Sequence, residues 1–165
     1  MSRLDINIRR LKAQRACLNL AAEAIRELPG PVFEFGLGNG RTYDHLREVL
    51  PGREIFVFDR EVAAHPDCIP DEAHLFLGDF HETLPRAAAR FAGQVALIHA
   101  DVGTANPDRD ARLAAFIAEH VPAVLCPGGL LAADRDAAFA GAEPVPLPEG
   151  VAPGVYFMYR RPRAS

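Results

Sequence analysis

The residues of this sequence that could do chemistry stand directly after short apolar runs. The first run leads into Gly36-Leu37-Gly38-Asn39-Gly40, and glycines let the backbone approach a ligand where a Cβ atom would collide. Later runs are followed by Asp59, Asp79, Asp101 and Asp134. A carboxylate accepts hydrogen bonds from hydroxyl, amine and amide groups. The set therefore predicts a site for a polar organic ligand.

The spacing of these residues indicates a nucleoside without a pyrophosphate. Arg41 stands where the dinucleotide fingerprint GxGxxG needs its third small residue, which disfavours a pyrophosphate-binding loop. Asp59 closes the second apolar run, where a carboxylate can accept hydrogen bonds from both hydroxyls of a ribose. The segment Gly78-Asp79-Phe80 offers an acceptor for an exocyclic amine and an aromatic wall, which suits adenine.

Hydrophobic periodicity predicts the elements that must position these residues. A helix is expected over residues 4–28, before Pro29-Gly30-Pro31, with an apolar stripe made of Leu4, Ile8, Leu11, Leu18, Ala22 and Ile25. Strands are predicted at residues 32–35, 54–58, 74–77, 95–100, 130–133 and 155–159, and further helices at 41–50, 80–92 and 108–121. Apolar strands that alternate with helices are typical of a doubly wound, mostly parallel α/β sheet covered on both faces. Ligands bind such sheets at the carboxyl ends of the strands.

Five segments in this order resemble the class I S-adenosylmethionine-dependent methyltransferase family. Residues 32–40 are similar to its first motif, Asp59 to its ribose-binding acid, and Gly78-Asp79-Phe80 to its adenine-contact segment. Residues 98–101 are similar to its fourth-strand motif, and residues 125–131 to its proline-glycine-glycine turn before the fifth strand. The combination predicts a methyltransferase.

The resemblance implies an α/β fold with a seven-stranded, Rossmann-like sheet in the order 3-2-1-4-5-7-6, whose last two strands form an antiparallel hairpin. Residues 1–29 would form an N-terminal helix, 30–134 the cofactor-binding core and 135–165 the C-terminal strands. The implied cofactor is S-adenosyl-L-methionine, and the product is S-adenosyl-L-homocysteine. The cofactor-binding residues implied are Glu34, Gly36, Leu37, Gly38, Asn39, Gly40, Thr42, Asp59, Arg60, Gly78, Asp79, Phe80 and Asp101.

Three side chains are candidates for a catalytic base. Methyl transfer from a sulfonium expels a neutral leaving group, so alignment is the main task, and a base is needed only where the acceptor must lose a proton. Asp101 and His99 share one side of the predicted fourth strand, and His45 lies on the helix after the glycines. Two alternatives stay open: Asp101 holds the methionine amino group or orders a loop, and His99 is a buried structural histidine.

The C-terminal segment departs from the family pattern. Prolines at positions 144, 146, 148 and 153 leave hardly a turn of the helix that usually precedes the last hairpin. We expect a shortened or missing last helix and an exposed apolar flank, which another subunit commonly covers. The helix at residues 4–28 is the candidate for joining that interface or covering the cofactor cleft, so a homo-oligomer is expected.

Composition narrows the classes of function. A chain of 165 residues suits one domain, and a net charge of −4 offers no general field for nucleic acid. The basic residues of the first helix are interpreted as a solvated face: Arg3, Arg9, Arg10, Lys12 and Arg15.

No run approaches the roughly 18 apolar residues of a membrane span, so no membrane role is expected. Three cysteines without metal-type spacing favour the cytoplasm and no metal site. Without a separate recognition domain, we expect a small-molecule methyl acceptor. The alternatives are a catalytically silent cofactor-binding or regulatory subunit and, disfavoured by Arg41, an NAD-dependent oxidoreductase.

Overall fold

A computed structural model describes residues 1–104 and 106–163. The last two residues of the predicted C-terminal segment, 164 and 165, lie outside the described residues. The helices are α1 (Arg3–Ala24), α2 (Arg41–Val49), α3 (Phe80–Phe91) and α4 (Pro107–Val124). The strands are β1 (Val32–Phe35), β2 (Ile55–Asp59), β3 (Leu75–Leu77), β4 (Val95–Ala100), β5 (Leu125–Ala133), β6 (Glu143–Pro144) and β7 (Phe157–Arg160).

The seven strands form one sheet in the order β3-β2-β1-β4-β5-β7-β6. Strands β1 to β5 pair in parallel, whereas β7 pairs antiparallel with both β5 and β6. The predicted α/β class and strand order are confirmed. Order reverses between β1 and β4, so the carboxyl ends of these two strands flank the crevice where such sheets bind ligands.

Alternate side chains of the strands fill two separate cores. The face covered by α3 and α4 holds phenylalanine rings, and the Phe33 and Phe58 ring centroids are 4.9 Å apart. The other face packs against α1 and α2 through smaller aliphatic side chains such as Val57 and Leu97. Glu34 and His99 point into this second core and are fully buried. The polar pair is therefore placed beneath α1, on the side opposite the phenylalanines.

Helix α1 is shorter than the sequence predicts, and its apolar stripe is only partly buried. It begins at Arg3, after a capping box between Ser2 and Asp5, and ends at Ala24. Of the predicted stripe, Leu18, Ala22 and Ile25 are buried, but Leu4, Ile8 and Leu11 are exposed. The predicted stripe is therefore buried only in its second half, because the first turns extend past the edge of the sheet that the later turns cover.

The connection from α4 to β5 also differs from the prediction. Helix α4 continues through Pro122 to Val124, and β5 begins at Leu125 rather than at residue 130. The proline-glycine-glycine segment is thus an irregularity inside β5, where pairing with β4 shifts register between Val95 and Leu97. Pairing of Leu125 with Val95 extends the strand, a tertiary contact that local turn chemistry does not reveal.

No α-helix follows α4 in the described residues, which agrees with the expected shortened or missing last helix. The expectation of an exposed apolar flank is wrong. Ala137 and Phe139 are buried in the phenylalanine core, while Val145, Leu147 and Val151 pack on the opposite face. The proline-rich segment therefore covers the sheet itself. The large apolar side chains that are exposed lie elsewhere, at Met1, Leu4, Ile6, Ile8, Leu11, Val62, Ile69 and Leu77.

Candidate active site

A cleft of about 380 Å³ lies at the carboxyl ends of β1 to β4. Its volume lies within the range of roughly 300–1,000 Å³ that is usual for small-molecule sites. Predicted residues that line it are Gly36, Gly38, Asp59, Arg60, Gly78, Asp79, Phe80 and Asp101. Further lining residues, which the sequence interpretation did not select, are Phe58, His81, Val102, Gly103, Thr104, Arg109, Arg112 and Leu113.

The glycine loop between β1 and α2 is shaped by close backbone contacts. Gly36 has a φ of +89°, and a Cβ atom there would lie 2.5 Å from the carbonyl oxygen of Asp101. Gly40 caps α2 in a left-handed conformation, where a Cβ would meet Cys68 at 2.4 Å. At Gly38 no atom lies within 4 Å of the Cβ position. Only Gly38 is therefore free of steric pressure, and it lines the cleft.

Asp59, the last residue of β2, is bound to the glycine loop. Its Oδ2 accepts hydrogen bonds from the backbone N–H groups of Leu37, at 2.8 Å, and Gly38, at 3.1 Å. Its Oδ1 accepts from the N–H groups of Arg60, at 2.6 Å, and Glu61, at 3.4 Å. A carboxylate has about four acceptor positions, so the weak bond from Glu61 is the one that a ligand hydroxyl can replace most easily.

Asp79 serves as the N-cap of α3. Its Oδ1 accepts from the His81 backbone N–H at 2.8 Å, and its Oδ2 accepts from the Arg60 guanidinium at 2.8 Å. The hydrogen bond from Arg60, followed by those from the backbone and the ring of His81, lowers the pKa of Asp79 far below its ordinary value. The Phe80 ring lies 4.6 Å from the Phe35 ring centroid. Together Asp79 and Phe80 form a polar and an apolar wall at one end of the cleft.

Glu34 and His99 form a buried hydrogen-bonded pair behind the glycine loop. His99 Nδ1 lies 2.6 Å from Glu34 Oε2, and neither side chain is exposed. The other Glu34 oxygen accepts from the Thr42 hydroxyl, and His99 Nε2 hydrogen-bonds with the Tyr156 hydroxyl. Burial lowers the pKa of His99, but the adjacent Glu34 carboxylate outweighs burial and leaves the pKa raised.

Asp101, at the end of β4, is held by two side chains of α1. Arg10 Nη1 donates to both carboxylate oxygens at 3.2 Å, and Gln14 Nε2 donates to Oδ2 at 2.8 Å. The interpretation of Arg10 as part of a solvated face is therefore wrong. The spacing of four residues that places Arg10 and Gln14 on one helix face was the available signal, but nothing in the sequence indicated that Asp101 lies opposite.

Asp134 follows β5 and lies beside Asp101. Its backbone N–H donates to the Ala100 carbonyl at 3.0 Å, which places the ends of β4 and β5 side by side. Burial, followed by the charge of Asp101, raises the pKa of Asp134 to about 6. Its Oδ1 is buried without a hydrogen-bond partner among the described residues.

The structure does not bring all the predicted residues to the cleft surface. Glu34, Leu37 and Gly40 are buried beneath or beside it. The candidate base His45 hydrogen-bonds to Asn19 at 2.7 Å and lines a groove between α1 and α2 instead. Asn39 and Thr42 also lie outside the cleft lining.

The described residues show neither a metal-binding cluster nor a membrane-spanning helix. They contain no group of three or more His, Cys, Asp or Glu side chains placed to hold a metal ion. None of their helices combines the length and the apolar character that crossing a membrane requires.

Comparison with known families identifies the fold and its cofactor. Residues 1–161 match the family described as S-adenosyl-L-methionine methyltransferase. The chain belongs to this family. Its cofactor is therefore S-adenosyl-L-methionine, and the resemblance read from the glycine loop and the strand-end acids is confirmed at the level of the family.

Solved structures place this methyltransferase among similar folds. An S-adenosyl-L-methionine methyl transferase from Silicibacter pomeroyi is 48% identical, with a TM-score of 0.93 over 98% of this chain and 99% of that chain. The antibiotic-resistance methyltransferase Kmr is 14% identical, with a TM-score of 0.53 over 91% and 93% of the two chains.

A third structure is the 1,6-didemethyltoxoflavin-N1-methyltransferase from Burkholderia thailandensis, crystallised with 1,6-didemethyltoxoflavin and S-adenosylhomocysteine. It is 15% identical, with a TM-score of 0.47 over 91% of this chain and 79% of that chain. Among curated proteins, none matches this chain significantly.

Proposed function

We propose that this chain is an active enzyme that transfers a methyl group from S-adenosyl-L-methionine to a small-molecule acceptor. The observation that carries the proposal is the cleft between Asp59 and Asp101, with a glycine loop along one wall. Asp59 ends β2 and Asp101 follows β4, on either side of β1, and the apolar side chains of Phe80, Val102 and Leu113 also line the cleft. This order of groups fits a ligand with a ribose diol, an adenine and a charged amino acid end.

The residues of the cleft fit the parts of this cofactor. Asp59 would accept a ribose hydroxyl in place of its weak bond from Glu61. Phe80 and Leu113 supply apolar surface for the adenine, and Asp101 supplies a negative charge for the methionine ammonium. Because Arg10 also pairs with Asp101, binding of the ammonium would compete with Arg10 or rearrange it.

The cofactor brings an electrophilic methyl group on a sulfonium, and the sulfur takes the C–S electron pair when the acceptor forms its new bond. The protein supplies alignment, which is worth several of the roughly 7–11 kcal/mol available from preorganisation. Asp59 keeps the glycine loop in one conformation through the N–H groups of Leu37 and Gly38. This fixed loop would position the ribose before the acceptor arrives.

Asp101 and His99 would have different roles. Asp101 lines the cleft and can contact the cofactor or accept a proton from the acceptor. His99 has no exposed surface, and both its ring nitrogens are hydrogen-bonded within the protein. We therefore propose His99 as a positioning residue that acts through Glu34 and Thr42 on the start of α2.

The acceptor, the assembly and the location belong to the same proposal. The described residues form one sheet with four helices and no additional domain for reading a macromolecule, which favours a small molecule over nucleic acid or a membrane. The exposed apolar side chains of α1 favour a homo-oligomer. Cys17, Cys68 and Cys126 are all unpaired, which suits the reducing cytoplasm.

Calorimetric titration with S-adenosyl-L-methionine, S-adenosyl-L-homocysteine and NAD tests the cofactor site. We expect saturable binding of the first two alone, and at least a tenfold weaker affinity in Asp59→Asn, because loss of one charged hydrogen bond costs about 1.5–3 kcal/mol. Glu149→Gln, which removes a charge from an exposed loop residue, is the matched control. Unchanged binding by Asp59→Asn would exclude the proposed ribose contact.

A second experiment separates an enzyme from a silent binding subunit. The protein is incubated with methyl-labelled S-adenosyl-L-methionine and fractionated pools of small metabolites, and label is sought in any product. We expect label in at least one fraction, and less of it with Asp59→Asn when the methyl donor is below saturation. Tight cofactor binding with no labelled product from any pool would favour the regulatory alternative, and binding of NAD alone would favour the oxidoreductase.

A further inference from the structure

The first turns of α1 project from the body of the protein. Residues 1–9 are all exposed, whereas Ala13 and Cys17 on later turns are buried. A helical segment this short is marginal in water on its own, even with the capping box between Ser2 and Asp5. The projecting segment continues a helix whose later turns are packed, and a partner surface would stabilise it further by removing its apolar side chains from water.

The apolar side chains of α1 follow a heptad repeat. If Met1 is an a position, the a positions fall on Met1, Ile8 and Arg15 and the d positions on Leu4, Leu11 and Leu18. Apolar residues at a and d form the seam along which two helices pack as a coiled coil. Leu18 packs into the core of its own chain, but Leu4, Ile8 and Leu11 are 68%, 42% and 37% exposed. The outer part of the seam therefore has no partner within the described chain.

A groove runs beside this exposed seam. It has a volume of about 470 Å³ and lies between α1 and α2. Ile8 and Leu11 provide apolar surface, Lys12 and Arg15 line the α1 side, and the lining residues from α2 include Asp44 and Glu48. Arg41 and His45 also line the α2 side, and Asp44 is paired with Arg47. The groove thus offers an apolar strip between a basic α1 side and an α2 side of mixed charge, which suits an amphipathic helix that carries both charges.

The charges beside the seam are complementary when two copies of α1 pack antiparallel. Asp5 and Lys12 both occupy e positions, one after each of the d residues Leu4 and Leu11. When two identical helices pack antiparallel about a two-fold axis, the same flank of each helix meets. With the axis between Ile8 and Leu11, Asp5 falls within side-chain reach of Lys12 of the partner subunit, and the pair is formed twice.

We propose that the exposed seam of α1 is the interface of a homodimer, in which the projecting segment of each chain lies antiparallel in the α1–α2 groove of the other. Ile8 then faces Leu11 of the partner subunit, and Leu4 packs on the aliphatic stem of Arg15 of the partner subunit at the next layer. The interface is isologous, as is usual for a two-fold dimer. It also stabilises the helix from which Arg10 and Gln14 reach Asp101.

Size-exclusion chromatography with light scattering of the full chain tests the proposal without any methyl donor, so its outcome is independent of the proposed catalysis. We expect the native mass to be twice the 17.9 kDa of the chain. Ile8→Glu places a charge in the seam and should weaken dimerisation by at least 100-fold. Ile6→Glu is the matched control, because Ile6 is 52% exposed on the same helix but lies opposite the seam and should leave the dimer intact.

A second pair of variants tests the antiparallel orientation. Lys12→Glu would place a negative charge near Asp5 of the partner subunit and should weaken the dimer about tenfold. Arg9→Glu makes the same change of charge on the same helix, away from the seam, and should have no effect. A monomeric wild-type chain, a dimer insensitive to Ile8→Glu, or equal effects of Ile6→Glu and Ile8→Glu would overturn the proposal. Circular dichroism confirms that each variant is folded.

Discussion

Replacing Glu34 with glutamine should destabilise the protein by about 3 kcal/mol. Glu34 is fully buried and accepts hydrogen bonds from His99 and from the Thr42 hydroxyl, one on each oxygen. Glutamine keeps the shape but loses the charge, so two charge-assisted bonds of about 1.5–3 kcal/mol each become weaker neutral bonds. Breaking a buried ion pair costs about 3–5 kcal/mol in general, which bounds the estimate from above.

Urea unfolding followed by circular dichroism measures this difference. For a domain of this size, 3 kcal/mol corresponds to a fall in Tm of about 6–12 °C. Thr42→Ala removes only one of the two partners of Glu34 and should cost about 1.5–3 kcal/mol, and Glu149→Gln on the exposed loop should cost nothing measurable. A loss below about 1 kcal/mol for Glu34→Gln would refute the assignment of a charged buried pair.

The same variant should change how stability depends on pH. In the wild type the pKa of His99 is raised on folding, so the stability from its protonation is full below the ordinary pKa of about 6.5 and is lost as pH rises through the raised value. In Glu34→Gln the negative charge of Glu34 is lost, so burial should lower the pKa of His99, and only the more weakly acting charges of Asp101 and Asp134 still raise it. The difference in unfolding free energy between wild type and variant should therefore be larger at pH 6 than at pH 9. An equal difference at both values would show that His99 does not bind a proton on folding.

Two further predictions concern the glycine loop and the thiols. Gly36→Ala should lower the free energy of unfolding in urea by at least about 2 kcal/mol, because the new residue combines a positive φ with a Cβ atom 2.5 Å from a backbone oxygen. Gly38→Ala, where the Cβ position is open, should lower it by about 1 kcal/mol. Equal losses would contradict the steric argument. Iodoacetamide should alkylate Cys68 first, because burial raises the pKa of the Cys17 thiol to about 11 and also raises the pKa of the Cys126 thiol. Mass spectrometry of the digested protein measures the order of alkylation, and early labelling of Cys17 would contradict the prediction.

Local sequence was sufficient for the elements whose structure depends on their own residues. An apolar run followed by Gly36 and Gly38 predicted β1, the turn and the start of α2, because positive φ values at a strand end favour glycine. Asp59 could be placed at the end of β2 because the apolar run before it defines the strand. Parallel order then brought both to one edge of the sheet.

The sequence could not show which distant residues would meet. Arg10 and Asp101 are 91 positions apart, and Glu34 and His99 are 65 positions apart. In the sequence each of these residues is only a charged helix residue or a polar residue in or after a strand, and its partner is identified only by the packing of the fold. The proline-rich residues after Asp134 were predicted to leave a flank bare, but they cover it with Phe139 and Val145 instead.

The sequence by itself therefore determined the order of the helices and of every strand except β6, the glycine turn and the acids that follow the strands. Tertiary structure alone decided that α1 lies over Asp101, that Glu34 and His99 pair in the core, and that half of a regular apolar stripe stays in solvent. Hydrogen-bonding and turn preferences act between neighbours in the chain, whereas burial and charge pairing depend on which surfaces the complete fold brings together.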